Sequence, residues 1–329
     1  MSAFADVRGF EEALRPPIDV RRARLTPGVL RVVREGRSSL RDQVRRVVRR
    51  TPEVMVKITG RTRDAAHLRA HLVYISRNGK LALEGGEGER LADPRRAREL
   101  ADAWASDAEA APRRRRDAPL SLSIVLSMPA GTSAWRLEDA ARAFATDVFG
   151  GRFDYVFALH DEGRHPHVHL SVQALGRDGV RLDPRKADLQ VWREGFAMAL
   201  RARGIEAEAT PRRARGVTRK AERMPVRKLR ERSMAGGPAP RLIVEATREA
   251  TAGSKTPAPW RAALVDRQRQ IRRALLGEAM ALSVDAANPD PRLAREVEGF
   301  VRSLPGVETQ ADLIRRGLER RRDGPEAER

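Results

Sequence analysis

Four of the six histidines of this chain fall within ten residues, in the run His160-Asp161-Glu162-Gly163-Arg164-His165-Pro166-His167-Val168-His169. Side chains of a strand alternate between its two faces. His165, His167 and His169 therefore share one face, and Val168, Leu170 and Val172 share the other. If the strand ending at His160 folds back so that 160 pairs with 167, then 158 pairs with 169 and 156 with 171, and His160 joins His167 and His169. The opposite face of the hairpin then reads Tyr155, Phe157, Leu159, Val168, Leu170 and Val172, a continuous apolar surface. Three imidazoles converging from adjacent strands make a divalent-metal site with open positions, suited to polarising a phosphoryl oxygen. The chain has no cysteine, which excludes thiolate nucleophiles, zinc ribbons, iron–sulfur clusters and disulfides. His165 is an accessory candidate nearer the turn. Asp161 and Glu162 fit a fourth ligand, a hydrogen-bond partner of a ligand, a base, or ordinary turn residues.

A metal acting on a phosphate needs a nucleophile, and the chain has two tyrosines. Tyr155 lies on the apolar face of the hairpin by parity. Tyr74 lies late in an expected helix, at the edge of the stripe Leu68, Leu72 and Ile75 and beside His67 and His71. By itself that position suits a rim residue as well as a nucleophile. An ordinary phenol, pKa about 10, costs about 4 kcal/mol to ionise at pH 7, which a bound metal and a base would have to offset.

The elements that must place these groups are legible from periodicity and punctuation. Strands are expected over residues 54–58, 120–127, 153–160 and 166–174, with a short one near 180–182. Helices are expected over 63–77, 93–106, 134–149 and 186–203, and Gly85-Gly86-Glu87-Gly88 reads as a loop. The order is of the α+β kind. Residues 1–50 read as a basic helical extension, 51–210 as the domain holding the candidate site, 211–235 as a basic DNA-binding segment and 236–329 as mostly helical.

The 329 residues carry a net charge of +20, and its distribution is uneven. Residues 1–50 contribute +7, 51–117 +3, 118–203 +1 and 204–329 +9. The densest run, 211–232, holds ten basic residues against Glu222 and Glu231, a track suited to a polyanion through phosphate contact and counterion release. No stretch approaches a membrane span and the N-terminus lacks the pattern of a signal peptide, so a cytoplasmic protein without membrane insertion is expected.

The segments HLVYISRNGKLALE at 71–84, LSMPAGT at 126–132 and HDEGRHPHVHLSV at 160–172 together resemble the three ordered motifs of the relaxases, the mobilisation nucleases of conjugative plasmids and elements. The similarity is greatest to the branch that includes the T-DNA border endonuclease. The resemblance implies the HUH endonuclease fold, a five-stranded antiparallel sheet with helices behind it. It implies that Tyr74 attacks one DNA strand at an origin of transfer, leaving a 5′-phosphotyrosyl link and a free 3′-hydroxyl. His160, His167 and His169 would bind Mg or Mn, with Ser127 near the cleavage site; the turn carboxylate Glu162 is the further catalytic candidate beside Tyr74. Expected DNA contacts are Arg77, Lys80, Arg212, Arg213, Arg215, Arg219 and Lys220. Single-stranded and supercoiled DNA, an accessory nicking protein and a type IV coupling protein are the implied partners, with passage to a recipient cell while attached to DNA. The alternatives are a rolling-circle replication initiator and a non-catalytic metal-containing DNA-binding protein.

Overall fold

The computed structural model describes residues 39–111, 117–163, 165–217, 222, 224–252 and 259–322. Most of the expected N-terminal extension, the arginine run at 113–116, Arg164, Arg219 and Lys220 lie outside the described residues, as does the side chain of Arg213. The described residues 39–210 form one compact unit and those from Pro211 onward a second.

The first unit is α+β. Helix α1 (Leu40–Val48) starts at Ser39, whose hydroxyl accepts from the Asp42 amide, and buries Val44 and Val47. The strands are β1 (Met55–Thr62), β2 (Leu83–Gly85), β3 (Arg90–Leu91), β4 (Ser121–Ser127), β5 (Tyr155–His160) and β6 (His167–Gln173). They form one antiparallel sheet of six strands in the order β1-β4-β6-β5-β2-β3. The sequence implies five strands; the extra edge comes from the β2–β3 hairpin, within which Gly85 to Gly88 forms the turn rather than a free loop. Conversely, the strand expected near 180–182 is only a bridge between Leu175 and Arg181. The histidine hairpin pairs 160 with 167, 158 with 169 and 156 with 171, the register on which the expected convergence of the histidines depends.

Helices cover both faces of the sheet. Helices α4 (Ala134–Ala145) and α5 (Lys186–Arg201) enclose one face, where Phe144, Phe149, Trp192 and Phe196 pack on Phe157, Val168, Leu170 and Val172. The end of α4 widens into a π-helical turn over Thr146–Gly150, so the α-helix is shorter than its periodicity suggests. Helices α2 (Ala65–Ile75) and α3 (Pro94–Ala110) cover part of the other face, setting Leu68, Leu72, Ile75 and Trp104 against Leu83, Val156 and Ala158. This two-sided cover explains why every residue of β4 is buried although its sequence begins with polar alternation.

Among the described residues, the second unit contains a 3₁₀ turn (Arg212–Arg215) and five helices, α6 (Met224–Met234), α7 (Arg241–Thr251), α8 (Pro259–Val284), α9 (Pro291–Ser303) and α10 (Gln310–Arg322). Helix α8 packs on α9 and α7 on α10, burying Ile271, Leu275, Leu282, Leu293, Val297 and Phe300. No helix among the described residues is long and apolar enough to cross a membrane.

Helix α2 ends earlier than expected. The chain turns out of it through three residues of positive φ, Arg77 (53°), Asn78 (57°) and Gly79 (83°). The buried hydroxyl of Ser76 donates to the Val73 carbonyl and accepts from the Gly79 amide. A Cβ on Gly79 would meet the Pro94 ring at 2.5 Å, and left-handed backbone already disfavours it. Gly79→Ala is therefore expected to destabilise the protein by at least about 1 kcal/mol, measured as a lower urea midpoint with an unchanged denaturant slope.

Candidate active site and metal centre

The three histidines meet where the end of β5 pairs with the start of β6. His160, His167 and His169 each offer a ring nitrogen, and these atoms lie within 4.8 Å of one another. The ring centroids are 4.5 to 5.3 Å apart. Backbone carbonyls assign two of the tautomers, because a carbonyl can only accept. His160 Nε2 lies 2.7 Å from the Ile75 carbonyl and must carry its proton there, leaving Nδ1 with the lone pair. His167 Nδ1 donates to the His165 carbonyl at 3.0 Å, leaving Nε2. Such outer hydrogen bonds orient metal-binding imidazoles and raise their basicity. Burial, reinforced by His160 and His167, pushes His169 down to about 4, and burial also lowers His160. Both are thus neutral imidazoles with lone pairs at neutral pH. Donor type, convergence and protonation state all fit a divalent ion.

Tyr74 stands beside this cluster. Its ring meets the His169 ring edge-on, 6.1 Å between centroids and at 85°, and 59% of its surface is exposed. Leu68, Leu72 and Ile75 are fully buried, which fixes the rotation of α2 and turns residue 74 outward. Tyr155 behaves as its parity implies: it is buried and its hydroxyl hydrogen-bonds Thr146. Burial also pushes the Tyr155 phenol up.

Beside Tyr74 runs a groove of about 520 Å³ lined by Ala70, Val73, Tyr74, Arg77, Asn78, Lys80 and Glu162. Arg77 Nη2 approaches Glu162 at 3.6 Å. Glu162 and Asp161 do not join the three-histidine cluster, and neither does His165, which is exposed outside β6. His165 instead contributes its carbonyl. Ser127 pairs with His167 across the strands, but its hydroxyl is buried against the Met128 and Pro166 carbonyls. The basic stretch begun by Arg212 and Arg215 belongs to the other unit.

Two histidines that have no place in the hairpin pattern also find partners. Asp64 caps the start of α2, its carboxylate accepting from the His67 amide and meeting the His67 ring. The His67 amide holds Asp64 below the usual carboxylate range. His71 faces the sheet, where its Nε2 lies 2.9 Å from the Ser123 hydroxyl, and burial lowers its pKa. The Ile75 carbonyl and Ser123 were not visible as site components in the sequence. Neither carries a signal in residue type, because one acts through its backbone and the other is one of many serines.

The family described as "Relaxase: MobA/VirD2-like, nuclease domain" matches residues 74–205. The chain is 31% identical over 206 residues to the T-DNA border endonuclease VirD2 of Rhizobium radiobacter, covering 54% of this chain and 48% of that protein. It is 31% identical over 186 residues to the namesake of Agrobacterium fabrum, covering 50% and 41%, and 30% identical over 185 residues to that of Rhizobium rhizogenes, covering 50% and 42%. The chain spans about half the length, or somewhat less, of the curated relatives it matches. The matched stretch begins at Tyr74 and contains the whole histidine hairpin: residues 74–205 match the MobA/VirD2-like relaxase nuclease domain, and their α+β architecture is consistent with the HUH fold.

Proposed function

We propose that the first unit nicks one strand of DNA at an origin of transfer by attack of the Tyr74 phenol oxygen on a phosphodiester phosphorus. The observation that carries this reading is the exposed Tyr74 ring standing edge-on to His169 of the three-histidine cluster. In the reaction the P–O3′ bond breaks and its electron pair leaves on the 3′ oxygen, which gains a proton. The 5′ phosphate becomes esterified to Tyr74, and the phenol proton passes to a base. His160, His167 and His169 would hold a divalent ion, Mg or Mn, which when bound supplies positive charge that polarises the phosphoryl oxygen. Glu162, on the groove wall with Tyr74, is the carboxylate proposed to receive the phenol proton. The phosphotyrosyl bond conserves the phosphodiester energy, so attack by a 3′-hydroxyl rejoins the strand without ATP.

Arg77 and Lys80 line the same groove and are proposed to contact the strand. Ser127, at the strand end beside His167, is proposed to lie near the cleavage site, with His165 and Asp161 as accessory groups of the turn. Arg212, Arg213, Arg215, Arg219 and Lys220 would supply phosphate affinity from the second unit. The partners proposed are single-stranded and supercoiled DNA at the origin, an accessory nicking protein and a type IV coupling protein. The covalent adduct would travel to the recipient cell.

Incubation with Mg²⁺ or Mn²⁺ and a single-stranded oligonucleotide spanning the origin should yield a covalent adduct on denaturing gels. Tyr74→Phe should abolish it; an undiminished adduct would place the nucleophile elsewhere. In calorimetric titrations with Mn²⁺, His167→Ala should lose the ion while His67→Ala keeps it, and the reverse result would refute the ligand assignment. Replacing the exposed Arg212, Lys228 and Arg232 with Gln should weaken single-strand binding. The salt dependence should flatten by about 0.7 in log–log slope for every phosphate that the variant no longer neutralises. Adduct formation at saturating DNA should persist. Unchanged anisotropy titrations across salt concentrations would exclude the run from the interface.

A further inference from the structure

Arg77 differs from the other well-placed arginines of this unit. Arg142 is engaged by Glu84 and Asp139, Arg46 meets Glu208 at 2.6 Å, and Arg203 meets Asp139 at 2.5 Å and the Ala199 carbonyl at 3.0 Å. These guanidiniums are matched to carboxylates at hydrogen-bond distance. Arg77 is not. Its Nε is buried without a hydrogen-bond partner, and Glu162 lies at 3.6 Å, beyond hydrogen-bond length. A buried donor left unmatched is uncommon and calls for a reason. Its backbone is also held at φ 53°, an unfavourable conformation for an arginine that tends to persist where a side chain has to be aimed. Ser76 and Gly79 maintain that turn. The side chain thereby reaches the groove that Tyr74 lines, close enough that its charge depresses both His160 and His169.

We propose that Arg77 is a catalytic residue of the nicking reaction: its guanidinium engages a non-bridging oxygen of the scissile phosphate and neutralises the charge that builds as the P–O3′ bond breaks, Glu162 being its loose partner until the strand arrives. The assignment rests on the relaxase reading and adds a function to a residue otherwise counted only among DNA contacts. A planar guanidinium with several unused donors suits a tetrahedral phosphate, which can accept two parallel N–H bonds. Lys80 in the same groove offers only a point charge. A weakly held partner matters here, because a guanidinium locked to a carboxylate would have to break strong bonds before it could turn to the phosphate.

The test uses the full chain and a single-stranded oligonucleotide selected from a random pool for adduct formation by the wild-type protein. Two quantities are read: the single-turnover rate of adduct formation with Mn²⁺, and affinity for the same oligonucleotide in EDTA, where no cleavage occurs. Arg77→Ala should slow adduct formation roughly 10²-fold while affinity changes far less, and added guanidinium should restore part of the rate. Arg77→Lys should remain slow. Arg77→Gly, whose residue type suits φ 53°, guards against a folding defect and should behave like Arg77→Ala. Rate and affinity falling in equal proportion without rescue, or an unchanged rate, would overturn the proposal while leaving the tyrosine chemistry intact. If the wild-type protein selects no adduct-forming sequence, or Tyr74→Phe still forms one, the relaxase reading itself fails and this role with it.

Discussion

The His160 imidazole donates to the carbonyl of Ile75 at 2.7 Å, and through that bond the helix bearing Tyr74 is fastened to the strand bearing a histidine of the three-imidazole cluster. A carbonyl in the last turn of a helix has no donor within the helix, and a buried imidazole N–H needs an acceptor. Each group answers the need of the other. The bond also determines which nitrogen of His160 is left with its lone pair. Because Tyr74 immediately precedes Ile75, the distance from the phenol to the imidazole cluster follows from the same contact.

The rest of the domain can be understood as support for that junction. Leu68, Leu72 and Ile75 are fully buried against the sheet. Burial of such side chains stabilises a fold by about 1.5–3 kcal/mol each, enough to prevent α2 from rotating and Tyr74 from turning inward. The left-handed turn after Ser76 then redirects the chain, so Arg77 reaches the groove instead of continuing along the helix. On the opposite face, α4 and α5 seal the apolar side of the hairpin. The sheet therefore leaves its histidine corner as the place where polar groups can meet a ligand. His71 and Ser123 continue a polar layer beneath the corner.

Electrostatically the domain is unlike the rest of the chain. Residues 51–203 are nearly neutral although the whole carries +20. Several arginines of the region are matched locally by carboxylates, as at Arg142, Arg152 and Arg177. Arg77 and Lys80 are consequently local features of the groove rather than parts of a broad basic surface. A low overall charge also keeps the imidazoles from being embedded in a strongly positive field. Burial and the neighbouring imidazoles lower the pKa of His160 and His169.

Parity along two short strands, with an apolar face to break the symmetry, determined which side chains share a face, and once 160 stands opposite 167 the convergence of His160, His167 and His169 follows. A stripe at helical spacing determined that Tyr74 lies at an edge. Local rules of this kind work because side-chain direction depends on only a few neighbouring residues. The three- and two-residue strands β2 and β3 escaped them, since segments so short show no periodicity. So did the end of α2, where Ser76, Gly79 and Pro94 decide the turn together, and Ser127, whose hydroxyl is directed by a carbonyl 39 residues away. The bond from residue 160 to residue 75 spans 85 positions, and one partner is a backbone atom that every residue possesses. The composition of the site was thus written in residue types and spacing, but the tautomers, the reach of Arg77 and the partners of His71 and Ser127 belong to the folded chain, because hydrogen bonds between distant segments have no local pattern to announce them.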